Sequence, residues 1–215
     1  MIKAVLFDFD GTIMDTNEII LESWRHVFKE FRGRVCADEE VLGSFGEILE
    51  DTMRQTFPDI DTKLTVESYR NFQRTLYKDR IKLCDGIDGL VKGLYERGIK
   101  VAIVTSRFRG STIEGAQRFG IAEYITDYVG CDDTKAHKPN PEPLNIALEK
   151  LGVTKDEAIY VGDSKYDIQC AHNAGMKAVL VNWTICLAKK DRVGINKADF
   201  EIDTAGDLFD IIDKL

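Results

Sequence analysis

Apolar residues along the chain form short, nearly continuous runs that alternate with stretches in which apolar positions recur every three or four residues. A run of four to eight residues rich in Val and Ile is typical of a strand buried on both faces of a parallel sheet. The predicted strands cover residues 3–9, 100–105, 158–162 and 177–182, with weaker candidates at 124–129 and 200–202. Helical spacing predicts helices over residues 87–97, 111–119, 141–151, 167–174 and 205–214. From residue 86 onwards helices and strands alternate, which predicts a doubly wound, parallel-sheet (Rossmann-like) α/β domain.

The segment after the first strand has a different pattern. Residues 17–31 and 65–77 carry apolar side chains at helical spacing, and the stretch GSFGEILEDTM between them predicts a loop. We therefore expect an all-helical insert over residues 16–84 and a core domain made of residues 1–15 and 85–215. Inserts at the carboxyl ends of parallel strands lie over the ligand crevice, so this insert should cover the end of the first strand.

Charge and composition exclude several classes of protein. The net charge of −8 over 215 residues opposes a nucleic-acid surface, which needs a basic stripe. No apolar run approaches the ~18 residues of a membrane span, and the apolar N-terminal stretch is too short for a signal peptide. The five cysteines are scattered without a C-x-x-C pair, which favours reduced thiols. We expect a cytoplasmic protein, a monomer or weak homodimer, without nucleic-acid or membrane partners.

Polar side chains follow the predicted strands in four places. The clusters are Asp8-Phe9-Asp10-Gly11-Thr12, Val104-Thr105-Ser106-Arg107, His137-Lys138-Pro139 and Gly162-Asp163-Ser164-Lys165-Tyr166-Asp167. The carboxyl ends of parallel strands meet at one edge of a sheet, so these clusters can converge. Carboxylates suit Mg²⁺, and N–H groups at helix starts suit a phosphoryl group. The pattern therefore predicts a phosphoryl-transfer site for a small-molecule phosphate.

The paired carboxylates of the first cluster can divide the work of such a reaction. One carboxylate can attack phosphorus and form an aspartyl-phosphate. The other can protonate the leaving oxygen and then activate the water that cleaves the intermediate. Mg²⁺ and Lys138 would neutralise charge on the transferring oxygens. The alternative, a solvated turn at Asp8 and Asp10, is disfavoured because three further clusters end at the same edge.

The motifs D-F-D-G-T, V-T-S, H-K-P and G-D-S-K-Y-D, in this order and spacing, resemble those of the haloacid dehalogenase (HAD) superfamily. The helical insert after the first motif resembles the C1 cap of that superfamily, so the resemblance covers the whole chain. It implies an aspartyl-phosphate mechanism that depends on Mg²⁺.

The resemblance also implies a role for individual residues. The implied catalytic residues are Asp8 as nucleophile, Asp10 as general acid and base, and Thr105 and Lys138 on the phosphate. Mg²⁺ would be held by Asp8, the backbone carbonyl of Asp10, and Asp163. Substrate would contact Thr105, Ser106, Lys138 and the cap residue Glu47. The supporting residues would be Thr12, Asp15 and Asp167, the last acting through water or by orienting Lys138.

Several functions remain open within this resemblance. Dehalogenases lack the second aspartate, so Asp10 implies phosphate chemistry. The similarity is tightest to the phosphoglycolate phosphatase branch, and K-P-N-P-E-P-L also resembles the PpaX-type pyrophosphatases. We expect hydrolysis of a small phosphomonoester such as phosphoglycolate, with inorganic pyrophosphatase as the alternative. A sugar-phosphate mutase is less favoured because Ile20 stands where those enzymes commonly carry His, and the intact motifs disfavour a non-enzymatic binding protein.

Overall fold

The computed structural model describes residues 1–77 and 79–215. The strands are β1 (Ala4–Phe7), β2 (Met14–Asp15), β3 (Lys82–Leu83), β4 (Lys100–Val104), β5 (Asp127–Val129), β6 (Ala158–Gly162), β7 (Lys177–Val181) and β8 (Phe200–Ile202). The α-helices are α1 (Asn17–Arg32), α2 (Glu39–Leu42), α3 (Leu49–Thr56), α4 (Thr62–Arg80), α5 (Ile87–Glu96), α6 (Arg109–Arg118), α7 (Glu142–Leu151), α8 (Lys165–Asn173) and α9 (Asp207–Ile212). All six strands predicted from apolar runs are present, each within a few residues of its expected bounds.

The main sheet has the order β5-β4-β1-β6-β7-β8, and each of these neighbouring pairs is parallel. The first strand lies between β4 and β6, so that Phe7 is level with Ile103 on one side and Val161 on the other. This arrangement confirms the predicted doubly wound α/β fold. It also brings the carboxyl ends of β1, β4 and β6 side by side at one edge.

The sheet is buried on both faces, which explains why its strands read as continuous apolar runs. Successive residues of a strand point to opposite faces. Val5 and Phe7 of β1 therefore join one apolar cluster, which includes residues of α5 and α9. Ala4 and Leu6 join the other, which includes residues of α7 and α8.

The helices between β2 and β3 have an apolar cluster of their own. Its members include Trp24, Phe28, Met53, Phe57 and Tyr69, contributed by α1, α3, α4 and the residue after α3. The only strand pairing at the ends of this segment, among the described residues, is the short antiparallel ribbon of β2 with β3. Two-residue strands leave no periodic signal, so the sequence did not indicate this ribbon.

The expected loop over residues 43–53 was partly wrong, because helix α3 begins within it at Leu49. This helix has only eight residues, and it buries Thr52 and Met53 while packing beside α4. Its formation depends on that packing, since isolated helices this short are marginal in water. Helix α4 begins at Thr62, three residues before the predicted start, because the Asp61 carboxylate accepts a hydrogen bond from the N–H of Lys63 at 2.9 Å.

Among the described residues, no helix is both long enough and apolar enough to cross a membrane.

Gly162 at the end of β6 allows α8 to pack closely against the sheet. A Cβ atom at this position would lie 2.3 Å from Cβ of Asp167. We predict that Gly162→Ala lowers the free energy of unfolding by about 1–3 kcal/mol, because the helix must shift to relieve the overlap. The matched control is Gly89→Ala in α5, where the added Cβ meets no atom within 4 Å.

The control should raise the free energy of unfolding by about 0.5–1 kcal/mol, the helix preference of Ala over Gly. Urea denaturation measures both changes. Equal effects of the two substitutions would contradict the close packing assigned to Gly162.

Candidate active site

Three of the predicted site residues lie directly after three neighbouring strands of the sheet. The N–H of Asp8, directly after β1, donates to the carbonyl of Val161 at 2.8 Å, which extends the β1–β6 pairing by one residue. The N–H of Thr105, directly after β4, donates to the carbonyl of Val129 at 3.0 Å. Asp163 follows β6 in the same way. Asp8, Thr105 and Asp163 are all buried.

Lys138 lies at the centre of the site, between two carboxylates. Its Nζ donates to Oδ1 of Asp8 at 2.9 Å and to Oδ1 of Asp167 at 2.7 Å. It also donates to the hydroxyl of Tyr160 at 3.2 Å. The side chains of Lys138 and Asp167 are both 2% exposed, so the ion pair is shielded from water.

Asp167 is fully engaged in holding this arrangement. Its Oδ1 accepts from Lys138 and lies 3.0 Å from the Tyr160 hydroxyl. Its Oδ2 accepts from the backbone N–H and the hydroxyl of Ser164, at 3.0 and 2.6 Å. A carboxylate has about four acceptor positions, and Lys138 and Ser164 occupy three of them. Asp167 is therefore placed to orient Lys138.

Burial and neighbouring charges shift the pKa values of these four groups in different directions. Burial raises the pKa of Asp8 to about 7, although the charge of Lys138 acts in the opposite direction. Burial also raises the pKa of Asp163 well above its ordinary range, and the charges of Asp167 and Asp8 add to the rise. For Asp167, by contrast, burial is outweighed by Lys138 and Ser164, and the pKa is lowered. Burial would lower the pKa of Lys138, but Asp167 and Asp8 raise it above its usual value.

These shifts show an excess of buried negative charge. Three buried carboxylates face one ammonium group, and one oxygen of each lies within 4.8 Å of the others. A divalent cation would relieve this repulsion, and hard carboxylate oxygens are the ligands that Mg²⁺ and Ca²⁺ prefer. Because Asp167 already accepts three hydrogen bonds from Lys138 and Ser164, Asp8 and Asp163 have the greater capacity for a metal. The residues present therefore fit a divalent metal ion.

Asp163 is held in place from several sides. Its backbone carbonyl accepts from the Thr184 hydroxyl at 2.7 Å, and the Cys186 thiol lies 3.1 Å from Oδ2. A Cβ atom at Gly11 would lie 2.2 Å from that same oxygen. Gly11 also has a φ of 78°, which favours glycine. The D-x-D-G motif thus needs its glycine for both conformation and space.

A cavity of about 520 Å³ opens beside these residues. Asp8, Asp10, Asp163, Thr105 and Ser106 contribute to the sheet side of its wall. The helical segment contributes the opposite side, with residues that include Trp24, Glu47, Tyr69, Arg70 and Tyr77. The site thus lies between the end of the sheet and the helices inserted after β1, as expected from the sequence.

Asp10 faces this cavity and pairs with a residue that the sequence analysis did not assign. Its Oδ1 lies 3.3 Å from Nη1 of Arg107 and 3.5 Å from the hydroxyl of Tyr77. Arg107 follows Thr105 and Ser106 directly, so its position in the second motif was the available signal. Tyr77 could not be found this way, because it comes from α4, 67 residues further along the chain than Asp10.

Tyr160 was also missed, although it lies within a predicted strand. Its hydroxyl lies 2.9 Å from the carbonyl of Val104 and accepts from Lys138. A tyrosine in the otherwise aliphatic run A-I-Y-V-G was the only sequence signal.

The remaining predicted site residues lie around this centre. Thr12 is fully buried, and its hydroxyl has no hydrogen-bond partner among the described residues. Asp15 lies in β2, where its carboxylate pairs with Lys82 at 3.2 Å. Thr105 Oγ1 accepts from the N–H of Arg107 at 3.2 Å. The Ser106 hydroxyl donates to the carbonyl of Gly46 at 2.6 Å.

Glu47 lies on the cavity wall with its carboxylate already engaged. The Tyr166 hydroxyl donates to one carboxylate oxygen, and the Thr52 hydroxyl lies 3.3 Å from the other. Gly46 and Glu47 therefore connect the helical segment to Ser106 and Tyr166 of the sheet domain. The role of Glu47 as a substrate contact stays a prediction.

Comparison with known proteins identifies the relatives of this chain. The family model for haloacid dehalogenase-like hydrolases matches residues 5–181. The chain belongs to this family.

A pyrophosphatase PpaX of Halalkalibacterium halodurans is 34% identical over 211 residues, which cover 98% of this chain and 97% of that protein. Two solved structures show a similar fold. One is a predicted phosphoglycolate phosphatase from Haemophilus somnus, with a TM-score of 0.79, 20% identity and 98% coverage of both chains. The other is a β-phosphoglucomutase from Clostridium difficile, with a TM-score of 0.82, 20% identity, and coverage of 100% of this chain and 96% of that one.

Membership of the haloacid dehalogenase-like hydrolases confirms the family expected from the four motifs and makes this protein a hydrolase. In the structure, the motifs converge on Asp8, Lys138 and Asp163, as the parallel topology requires. The family model ends at residue 181, the last residue of β7.

Lys138 should stabilise the folded protein, because it is the counter-charge of the buried carboxylates. We predict that Lys138→Met lowers the free energy of unfolding by about 3 kcal/mol, because it leaves buried carboxylates without their cation. Adding Asp167→Asn should recover part of this loss, since one of those charges is then gone. Urea denaturation without divalent metal measures the free energy of unfolding of the wild type, the single variant and the double variant.

The matched control is Lys3→Met, which breaks an ion pair with Glu157 in which the lysine is 60% exposed. An exposed pair contributes about 1 kcal/mol at most. Similar losses for Lys138 and Lys3 would refute the assignment of Lys138 as the counter-charge of the buried cluster.

Proposed function

We propose that this protein is a phosphatase that hydrolyses a small phosphate compound through an aspartyl-phosphate on Asp8. The observation that carries the proposal is the position of Asp8. It lines the cavity, its Oδ1 is bound by Lys138, and its Oδ2 accepts no hydrogen bond from a described residue. One oxygen is thus fixed while the other is available to attack.

The proposed reaction has two displacements at phosphorus. In the first, a carboxylate oxygen of Asp8 forms a bond to phosphorus while the bond to the leaving oxygen breaks, and Asp10 gives its proton to that oxygen. In the second, water attacks the same phosphorus and gives a proton to Asp10 while the bond between phosphorus and the Asp8 oxygen breaks. This step releases phosphate and restores both carboxyl groups to their starting states. Asp10 suits this role because it faces the cavity beside Asp8, with its side chain 26% exposed.

We further propose Mg²⁺ as the metal, held by Asp8 and Asp163 together with the backbone carbonyl of Asp10. The support is a donor set of hard oxygens with excess negative charge, and Mg²⁺ commonly uses one or two carboxylates together with substrate phosphate. When bound, the ion would neutralise charge on the transferring phosphoryl group. Lys138 would neutralise charge on the same phosphoryl oxygens, and Thr105 would supply hydrogen-bonding groups to them.

We infer that residues 16–84 act as a cap over a core made of residues 1–15 and 85–215. Support comes from the separate apolar cluster of the helical segment and from its attachment through the β2–β3 ribbon. The contacts of Gly46 and Glu47 with Ser106 and Tyr166 would hold the cap against the core. Closure of such a cap would exclude bulk solvent from the site.

The cell compartment and assembly follow as further proposals. Free cysteines throughout the described chain fit a reducing cytoplasm. We also propose a monomer or weak homodimer without nucleic-acid or membrane partners, on the strength of the acidic net charge of −8.

Two substrates are favoured by different observations. Phosphoglycolate fits the second aspartate and the phosphoglycolate phosphatase branch that the motifs resemble. Pyrophosphate fits the relative named pyrophosphatase PpaX, whose sequence aligns over nearly the whole chain. The deciding experiment measures kcat/KM with Mg²⁺ for phosphoglycolate, pyrophosphate, sugar phosphates and nucleotides, and the highest value names the substrate class.

Asp8→Asn should lower kcat for the best substrate by at least ~10³-fold, because a carboxamide cannot form the phosphoenzyme. Intact-protein mass spectrometry of the rapidly quenched wild type should show one added phosphoryl group, which the variant lacks. The control is Asp88→Asn on the exposed side of α5, which should leave kcat within about twofold. Turnover by Asp8→Asn well above background would eliminate Asp8 as nucleophile.

Asp163→Asn should raise the Kd for Mg²⁺ by at least about 10-fold, since it removes one of two carboxylates with capacity for the ion. Isothermal titration calorimetry without substrate measures this affinity. Asp156→Asn serves as the control, because it replaces an exposed aspartate before β6. An unchanged Kd for Asp163→Asn would contradict the proposed metal ligands.

A further inference from the structure

Arg107 occupies a distinctive position in the cavity. It comes from the loop after β4, yet it contacts the hydroxyl of Tyr77 in α4 and Oδ1 of Asp10 after β1. Its guanidinium group therefore lies where the sheet domain meets the helical segment. Its side chain is 18% exposed, and both Arg107 and Asp10 line the cavity.

The orientation of Arg107 is set by its neighbours. Nε donates to the hydroxyl of Ser111 at 2.9 Å, and Nη1 is directed at Asp10 and Tyr77. The guanidinium carbon lies 4.5 Å from the centre of the Tyr77 ring and 5.8 Å from that of Phe9. These contacts restrict the side chain before any ligand binds, which lowers the entropy lost on binding.

Part of the guanidinium group remains available. Of its nitrogens, Nη2 donates no hydrogen bond to a described residue. A guanidinium group offers five N–H donors in a planar fork that matches carboxylate and phosphate oxygens. A largely buried arginine that lines a cavity and has donors that no described residue accepts is therefore suited to bind an anion.

Other arginines on the cavity wall are engaged differently. Arg70 pairs with Glu50 at 2.7 Å and lies over the ring of Phe108. Arg118 donates to the carbonyl of Tyr77 at 3.2 Å. Arg107 differs from them because it contacts Asp10, two residues from the proposed nucleophile. An anion bound by Arg107 would lie beside the phosphoryl group under attack.

We propose that Arg107 determines specificity by binding a second anionic group of the substrate, adjacent to the phosphoryl group that Asp8 attacks. This inference rests on the proposed function. It restricts the substrate to compounds that carry two neighbouring anionic groups, such as a phosphorylated short carboxylic acid or a diphosphate. A phosphate ester of a neutral alcohol would leave Arg107 paired with Asp10 alone.

Ligand binding without turnover tests this role directly. With the Asp8 site intact and Mg²⁺ present, calorimetry compares methylenediphosphonate, which has two anionic groups, with methylphosphonate, which has one, and neither ligand has an ester or anhydride bond to hydrolyse. Arg107→Gln should raise the Kd of methylenediphosphonate roughly 10- to 100-fold, the range for a hydrogen bond between charged groups. The Kd of methylphosphonate should change less than about threefold, which also shows that the site remains folded.

Arg107→Lys and Arg109→Gln complete the comparison. Lysine keeps the charge but lacks the fork, so its effect on methylenediphosphonate should be intermediate. Arg109 lies two residues further on and contacts Asp133 at 3.7 Å and the carbonyl of Tyr128 at 3.2 Å. Arg109→Gln should leave both Kd values within about twofold.

Equal losses for the two ligands in Arg107→Gln would overturn the proposal, because they would show a general role in shaping the site. Unchanged Kd values would overturn it as well.

Steady-state assays distinguish a failure of the role assigned to Arg107 from a failure of the proposed function. In the Asp8 wild type, Arg107→Gln should raise KM more for phosphoglycolate or pyrophosphate than for ethyl phosphate. If the wild type hydrolyses no phosphate compound, the proposed function fails, whereas the binding comparison still decides the role of Arg107.

Discussion

The site depends on one buried ion cluster, in which Lys138 lies between Asp8 and Asp167. An unpaired charge is costly to bury, and each member of this cluster therefore requires the others. Tyr160 and Ser164 complete the hydrogen bonds of Asp167 and Lys138. The ammonium group cannot balance Asp163 in addition to Asp8 and Asp167, and this remaining negative charge is what makes the cluster suitable for a divalent cation.

The parallel sheet is what makes such a cluster possible. Asp8, Lys138 and Asp167 are separated by up to 159 residues in sequence, yet β1 and β6 are direct neighbours and end at the same edge. Gly162 permits α8 to begin close to that edge, and Ser164 caps the helix so that Asp167 points back towards Lys138. Local features at strand ends thus position groups whose interaction is entirely long-range.

The sequence predicted those parts of the fold that repeat over many residues. The continuous apolar runs predicted the strands, and the acids at their ends indicated the candidate site. Helix α3 and the β2–β3 ribbon were not predictable, because such short elements form only through tertiary packing. The contacts of Arg107 with Asp10 and Tyr77 were missed for a related reason. These contacts join three segments that are 30 to 97 residues apart in sequence, and no local sequence pattern indicates that such distant segments meet.

Substrate selection must be understood from the boundary between the sheet domain and the helical segment. In the proposed reaction, the groups around Asp8 would act on the phosphoryl group, which every candidate substrate shares. Discrimination therefore requires contacts with the rest of the molecule. Glu47, in the helical segment, is engaged with Tyr166 and carries the same sign of charge as a phosphate compound. Arg107 has the opposite charge and a nitrogen that donates to no described residue, so electrostatics favours the loop after β4 over Glu47 as the proposed source of specificity.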